Sequence, residues 1–162
     1  GSGSNSYEKA LRDRAGELGI SDHIVWAGHV QGDLKAALLQ NAAIFVQPSF
    51  SENFGIAVTE ALQVGVPAVI ARGVSIAKQI ESNGAGIVVD TSPASIAAGM
   101  ARFLDDGNLR KVSGLRARSL ADEEFSATKM GQRLVDLYGS ILSASGRRQK
   151  EEPHRERNEC GV

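Results

Sequence analysis

Apolar positions recur along this chain in two rhythms. Leu11, Ala15 and Leu18 follow helical spacing, and Asn5 with Glu8 three residues later has the form of a capping box. A helix is therefore predicted over roughly residues 7–18, ended at Gly19. Ile24-Val25-Trp26-Ala27 is a short β-prone run, as are Ala43-Ile44-Phe45-Val46 before Pro48, Ala68-Val69-Ile70, and Gly86-Ile87-Val88-Val89. Helical segments are predicted between them, over about 33–40, 56–64 and 75–81. Ser92-Pro93 joins an N-cap to a proline at the first helical position, opening a helix that carries Ile96, Met100, Phe103 and Leu104 on one face. Two further helices, roughly 108–122 and 127–143, follow.

Four runs with little polar alternation, each separated from the next by a helix, predict an α/β fold: a Rossmann-like, doubly wound parallel sheet covered on both faces. Such sheets bind ligands in the crevice at the C-terminal ends of their strands. The loops after residues 27, 46, 70 and 89 are thus the places to look for chemistry.

Composition narrows the class further. The 162 residues are 42% hydrophobic and 23% charged, ordinary for one globular domain and wrong for wholesale disorder or collagen. No apolar run approaches the roughly 20 residues of a bilayer-spanning helix. With 18 Lys+Arg against 19 Asp+Glu there is no general attraction to nucleic acid or to acidic lipid. Five basic and four acidic side chains fall between 147 and 159 with no large apolar residue, so 146–162 is expected to be a disordered charged tail behind a domain at 1–145. Cys160 has no partner thiol, which fits a reducing compartment and a cytoplasmic protein, with the inner face of a membrane left open. Arg110, Lys111, Arg116 and Arg118 read as a solvated helix face, and His23 and His154 as surface residues.

The loop after the second run, Gln47 to Gly55, leads straight into Ile56-Ala57-Val58-Thr59-Glu60-Ala61-Leu62. A glycine at a helix start lets a group approach the backbone, and the free N–H groups there suit a phosphate. Glu52 lies in the loop and Glu60 about one turn into the helix. Ala57, Ala61 and Val64 form an apolar row beside Val58 and Leu62, leaving Thr59, Glu60 and Gln63 as a narrow polar face. On that face a carboxylate can accept two hydrogen bonds from vicinal hydroxyls, as on ribose. The plain alternative is that Glu60 lies on a solvated stripe and Glu52 merely favours the positive helix end. Pattern alone leaves both open.

The stretch from Pro48 to Ala71 resembles the nucleotide-sugar-binding half of retaining glycosyltransferases of family 4, which have a GT-B fold. Their signature is two glutamates separated by seven residues, the first followed by x-Phe-Gly; Glu52-Asn53-Phe54-Gly55 with Glu60 is similar to it. Leu18-Gly19, the segment Ile24 to Val30, Gly84-Ala85-Gly86, Leu104-Asp105-Asp106 with Leu109-Arg110, and Phe125-Ser126 resemble further family segments in the same order. The resemblance implies that Glu60 binds the ribose and Glu52, as the catalytic carboxylate, holds hydroxyls of the transferred sugar. Ser51, Asn53, Phe54 and Gly55 would lie against sugar and diphosphate, and Gly28, His29 and Val30 against the base. For His29 the residues alone favour the plainer reading, a structural or solvent-facing histidine. The resemblance also implies metal independence, and no Asp-x-Asp pair occurs to suggest a divalent cradle. Asn53 stands where the family usually has glycine, Gln79 where glutamate is common and Ala127 where tryptophan is frequent. These departures bear on sugar preference and donor affinity.

Two parts of such an enzyme are not in the sequence: the arginine and lysine that neutralise the diphosphate, and the N-terminal acceptor domain. In a sheet of order 3-2-1-4-5-6, Ile24–Ala27 as strand three and Ala43–Val46 as strand four leave the strands between them missing. The expectation is a C-terminal, donor-binding domain lacking its first strands, cut from a longer chain, inactive and unstable alone because its strand edges are unpaired. Its substrate would be a nucleotide-diphosphate sugar and its acceptor a carbohydrate or lipid-linked molecule. The alternative is a non-catalytic nucleotide-sugar-binding or interaction domain, either a degenerate copy or half of a split enzyme. A flavodoxin-like regulatory domain is a distant third, lacking that fold's acidic cluster.

Overall fold

The computed structural model describes residues 3–148, with side chains described through Ser143. In chain order the elements are α1 (Asn5–Glu17), a 3-10 turn (Ser21–His23), α2 (Gly32–Gln40), β1 (Phe45–Gln47), α3 (Ile56–Gln63), β2 (Ala68–Ala71), α4 (Ala77–Ser82), β3 (Gly86–Val89), α5 (Pro93–Asp105), α6 (Gly107–Leu120), a π-helical turn (Ala121–Phe125) and α7 (Ala127–Arg148). The strands form one parallel sheet in the order β1-β2-β3. Val46 pairs with Val69, and Val69 with Ile87.

The sheet is covered on both faces, as parallel sheets require. On one side Ala68 and Ile70 of β2 meet Val58 and Leu62 of α3, Ile80 of α4, and Ala117 and Leu120 of α6. On the other, Val69 and Val89 meet Phe103 of α5. All four β2 residues are buried, and each large apolar side chain enclosed like Phe103 or Ile70 contributes roughly 1.5–3 kcal/mol. Gly99 permits the α5 contact, because a Cβ there would press on Val89 and Val69.

One predicted strand is absent. Ile24–Ala27 has no ladder partner, and Val25 is 90% exposed. A β-prone run becomes a strand only when a neighbour takes its hydrogen bonds, and no strand among the described residues stands beside it. Trp26 is instead half-buried beneath the Arg12 guanidinium, whose central carbon lies 4.7 Å from the ring centroid. Among the described residues the outer edge of β1 is also unpaired, so the order β1-β2-β3 corresponds to strands four to six of the expected sheet.

Smaller differences have local causes. The N-cap of α1 is Ser4, whose Oγ accepts from the Tyr7 backbone N–H at 3.4 Å, one residue before the predicted Asn5. The Ser92 cap is as predicted and accepts from the Ser95 N–H at 3.3 Å. Leu104 is 53% exposed, because the buried stripe of α5 runs through Gly99 and Phe103. α7 continues to Arg148, so residues 146–148 are helical and not tail. The rest of the predicted tail, with His154 and Cys160, lies outside the described residues. No helix among the described residues is long and apolar enough to cross a membrane.

Candidate functional site

The loop after β1 is tied to the loop after β2. Glu52 donates its backbone N–H to the Gly73 carbonyl at 3.1 Å, and its own carbonyl accepts from the Ser75 N–H at 3.1 Å, a short parallel bridge beyond the sheet's C-terminal edge. Gly73 makes this approach possible: a Cβ there would collide with the Phe50 carbonyl. The Ser75 hydroxyl adds a hydrogen bond to the Asn53 carbonyl. This strap fixes the Glu52 backbone, and Gln47 Nε2 donates to its Oε2 at 3.4 Å. Glu52 is half-buried.

Phe54 meets Phe125 of the π-helical turn edge to face, with centroids 5.9 Å apart. Its ring is an anchor, and the loop continues at Gly55 into α3. Gly55 sits in the left-handed region at φ 75° and caps the helix without a side chain. Its carbonyl accepts from Val58 and Thr59 at 2.9 and 3.1 Å, which leaves the Ile56 and Ala57 N–H groups at the open end of the helix. Gly55 itself is buried, and a Cβ there would press on Val58 and Val74.

The faces of α3 differ from the predicted ones. Thr59 is buried and donates its hydroxyl to the Ile56 carbonyl at 2.8 Å, a bond back along the helix that removes it from the polar face. Ala57 is exposed, so the open face carries Ile56, Ala57, Glu60 and Gln63. Glu60 is half-buried there, and Lys35 of α2 reaches it at 2.6 Å through Oε1. Sequence reasoning missed Lys35; its position on a helix 25 residues away gives no local signal. Glu60 Oε2 has no hydrogen bond among the described residues, leaving it able to accept from a ligand hydroxyl.

Gly28, His29 and Val30 precede α2, whose Lys35 joins that helix to Glu60. The segment thus runs directly into the helix whose Lys35 reaches Glu60. Gly28 takes φ 66° and lines a cavity of about 400 Å³ with Tyr7, Leu11 and Trp26, while His29 contacts Gln31 through its Nε2. Ser51 is exposed at the loop tip. Among the described residues no three of His, Cys, Asp and Glu converge as a metal site.

The arrangement is a helix start with free N–H groups, one carboxylate held before it and one on its open face, at the C-terminal end of a parallel sheet. It suits an anion flanked by hydroxyl-bearing groups.

Comparison with known proteins gives this geometry a family. Residues 2–120 match the model of the glycosyl transferases group 1. The chain is 31% identical over 146 residues to an uncharacterised glycosyltransferase of Methanocaldococcus jannaschii, covering 90% of this chain and 37% of that protein. It is 31% identical over 137 residues to a D-inositol 3-phosphate glycosyltransferase of Salinispora arenicola, covering 84% of this chain and 30% of that protein. The chain thus spans about a third of the length of these relatives. Among solved structures, sucrose-phosphate synthase of Thermosynechococcus elongatus superposes with a TM-score of 0.77 at 19% identity, over 88% of this chain and 36% of that one. Anabaena HepE, solved in complex with UDP, gives 0.74 at 19% identity, over 83% of this chain and 37% of that one. The chain belongs to the glycosyl transferases group 1, and its fold is that of the matched third of these GT-B glycosyltransferases.

Proposed function

From that membership we propose that these residues form the C-terminal, donor-binding part of a retaining glycosyltransferase of family 4. The reaction moves a sugar, of hexose type, from a nucleotide-diphosphate sugar to a carbohydrate or lipid-linked acceptor. The observation that carries the reading is the strapped Glu52 loop running through Gly55 into a helix that presents Glu60 one turn later. In this reading Glu60 accepts from the ribose hydroxyls through Oε2 while Lys35 steadies Oε1. The Ile56 and Ala57 N–H groups face the diphosphate, where positive potential stabilises the departing charge. Glu52 accepts from hydroxyls of the transferred sugar, Ser51, Asn53 and the Phe54-Gly55 backbone lie against sugar and diphosphate, and Gly28 to Val30 approach the base. Rate acceleration here is positioning plus charge stabilisation, and no divalent metal is required of this chain.

The acceptor binds an N-terminal domain, and an arginine and a lysine outside residues 1–162 complete the diphosphate clamp, so these residues alone do not turn over. The proposal places the protein in the cytoplasm, with the inner face of a membrane left open. A second reading, a binding domain without catalysis, draws support from the Lys35–Glu60 ion pair, which engages one oxygen of the carboxylate the donor would use.

Titrating the full-length protein calorimetrically with UDP-, GDP- and ADP-sugars identifies the donor. Glu52→Ala is expected to lower turnover about 100-fold with a much smaller change in nucleotide affinity, since a misplaced reacting sugar loses about that factor. Wild-type turnover in Glu52→Ala, or no binding of any donor, contradicts the proposal. Donor binding without turnover in the wild type favours the second reading.

A further inference from the structure

At the opposite end of the sheet the N-terminal ends of β1 and β2 adjoin a second cavity, of about 550 Å³. Its floor is apolar: Ala42 and Ala43 before β1, Val64 after α3, and Pro67 before β2. Its wall is one stripe of α6, along which Arg110, Lys111 and Arg118 face the cavity beside Gly114 and Leu115. Spacings of three, four and seven residues put these side chains on a single helix face. Gly114 explains the close wall, because a Cβ there would collide with the Gly65 carbonyl; the helix backbone rests directly on that turn. Three cations thus meet at one cavity, and no lining residue is acidic.

The whole helix follows this bias, with four basic residues and no acidic one between Gly107 and Leu120. Asp106 is committed to capping it, accepting from the Leu109 N–H at 2.8 Å. Arg110 spends one N–H on the Phe103 carbonyl at 2.9 Å, which fixes its guanidinium and leaves other donors available. Lys111 and Arg118 are exposed and form no ion pair among the described residues. The chain as a whole carries a formal charge of −1, so this concentration of positive charge is local.

We propose that this cavity binds a phosphate ester carried on an apolar body. The phosphate is held by Lys111, Arg118 and the free donors of Arg110, side chains that form charge-assisted hydrogen bonds to phosphate. The apolar part rests on Val64, Pro67 and Leu115, which is 67% exposed. A cavity of this size falls within the range of small-molecule sites, about 300–1,000 Å³. The site is separate from the Glu52 and Glu60 loop, which lies beyond the other ends of the strands.

The test uses the full-length protein and one chemistry from two sources. Hexyl phosphate is titrated calorimetrically, and co-sedimentation is measured with phosphatidylcholine vesicles with and without phosphatidic acid. A basic residue near an anionic surface is worth about fivefold in affinity, so Lys111→Glu with Arg118→Glu is expected to weaken binding at least about tenfold. Lys78→Glu, the same charge change on exposed α4, is expected to leave it unchanged, and donor affinity is expected to stay at the wild-type value in every variant. Binding of hexyl phosphate identifies a soluble ligand; binding only of vesicles containing phosphatidic acid identifies a lipid headgroup. The proposal is overturned if neither probe binds, if the double variant binds as well as wild type, or if Lys78→Glu weakens binding equally.

Discussion

Residues 3–44 and residues 45–125 carry similar apolar side chains and use them differently. In the first stretch Ala15 is the one buried residue, while Leu11, Leu18, Val25, Leu34 and Leu38 are each more than a third exposed. In the second, Val58, Leu62, Val69, Ile70, Ile80 and Phe103 are fully enclosed. The difference is the second layer: β2 has a strand on each side and helices on both faces, whereas Ile24–Ala27 has neither. Apolar content makes a core only where another element covers it. The candidate site belongs to the enclosed stretch, and α2 of the exposed stretch touches it through Lys35.

The strongest challenge to this contrast is a pair of truncations in the full-length protein. Ile70→Ala is expected to cost about 2–5 kcal/mol in denaturant unfolding, as for other enclosed aliphatic side chains. Val25→Ala is expected to stay within about 0.5 kcal/mol if its exposure persists there. A large loss at Val25 would mean that residues outside 1–162 cover it. Gly73→Ala is expected to cost roughly 1–3 kcal/mol by overpacking against the Phe50 carbonyl and to lower turnover by displacing Glu52. Unchanged turnover and stability would show that the strap yields without consequence. The smallest effect concerns the link between the regions. Lys35→Ala removes an ion pair whose partners are 41% and 31% exposed, so stability should change by less than about 1 kcal/mol. Hydrogen exchange in α2 should nevertheless accelerate relative to α3, because one tether between the stretches is gone; equal protection in variant and wild type would remove Lys35 from that role.

The parts of this structure that were legible in the sequence are those set by near neighbours. Ser92-Pro93 predicted the start of α5, and Glu52, Gly55 and Glu60 marked a helix start with two flanking carboxylates. The run Ile24–Ala27 misled because strand formation depends on partners distant in sequence. Thr59 misled because its hydroxyl can satisfy itself on the Ile56 carbonyl, so a polar residue enters the core without a polar partner from elsewhere. Lys35, Gly73 and the convergence of Arg110, Lys111 and Arg118 were invisible for the same reason as the strand. Each acquires its meaning from a residue or surface that only the fold brings near.

In the proposed function the open face of α3 receives the donor nucleotide, with Glu60 as the ribose acceptor. The direct measurement is calorimetric affinity of the full-length protein for its donor nucleotide, in wild type and Glu60→Gln. The amide keeps size but loses the charge, and a hydrogen bond to a charged group contributes about 1.5–3 kcal/mol. The account predicts affinity at least about tenfold weaker in Glu60→Gln with unchanged thermal stability. Equal nucleotide affinity in the two proteins would contradict it.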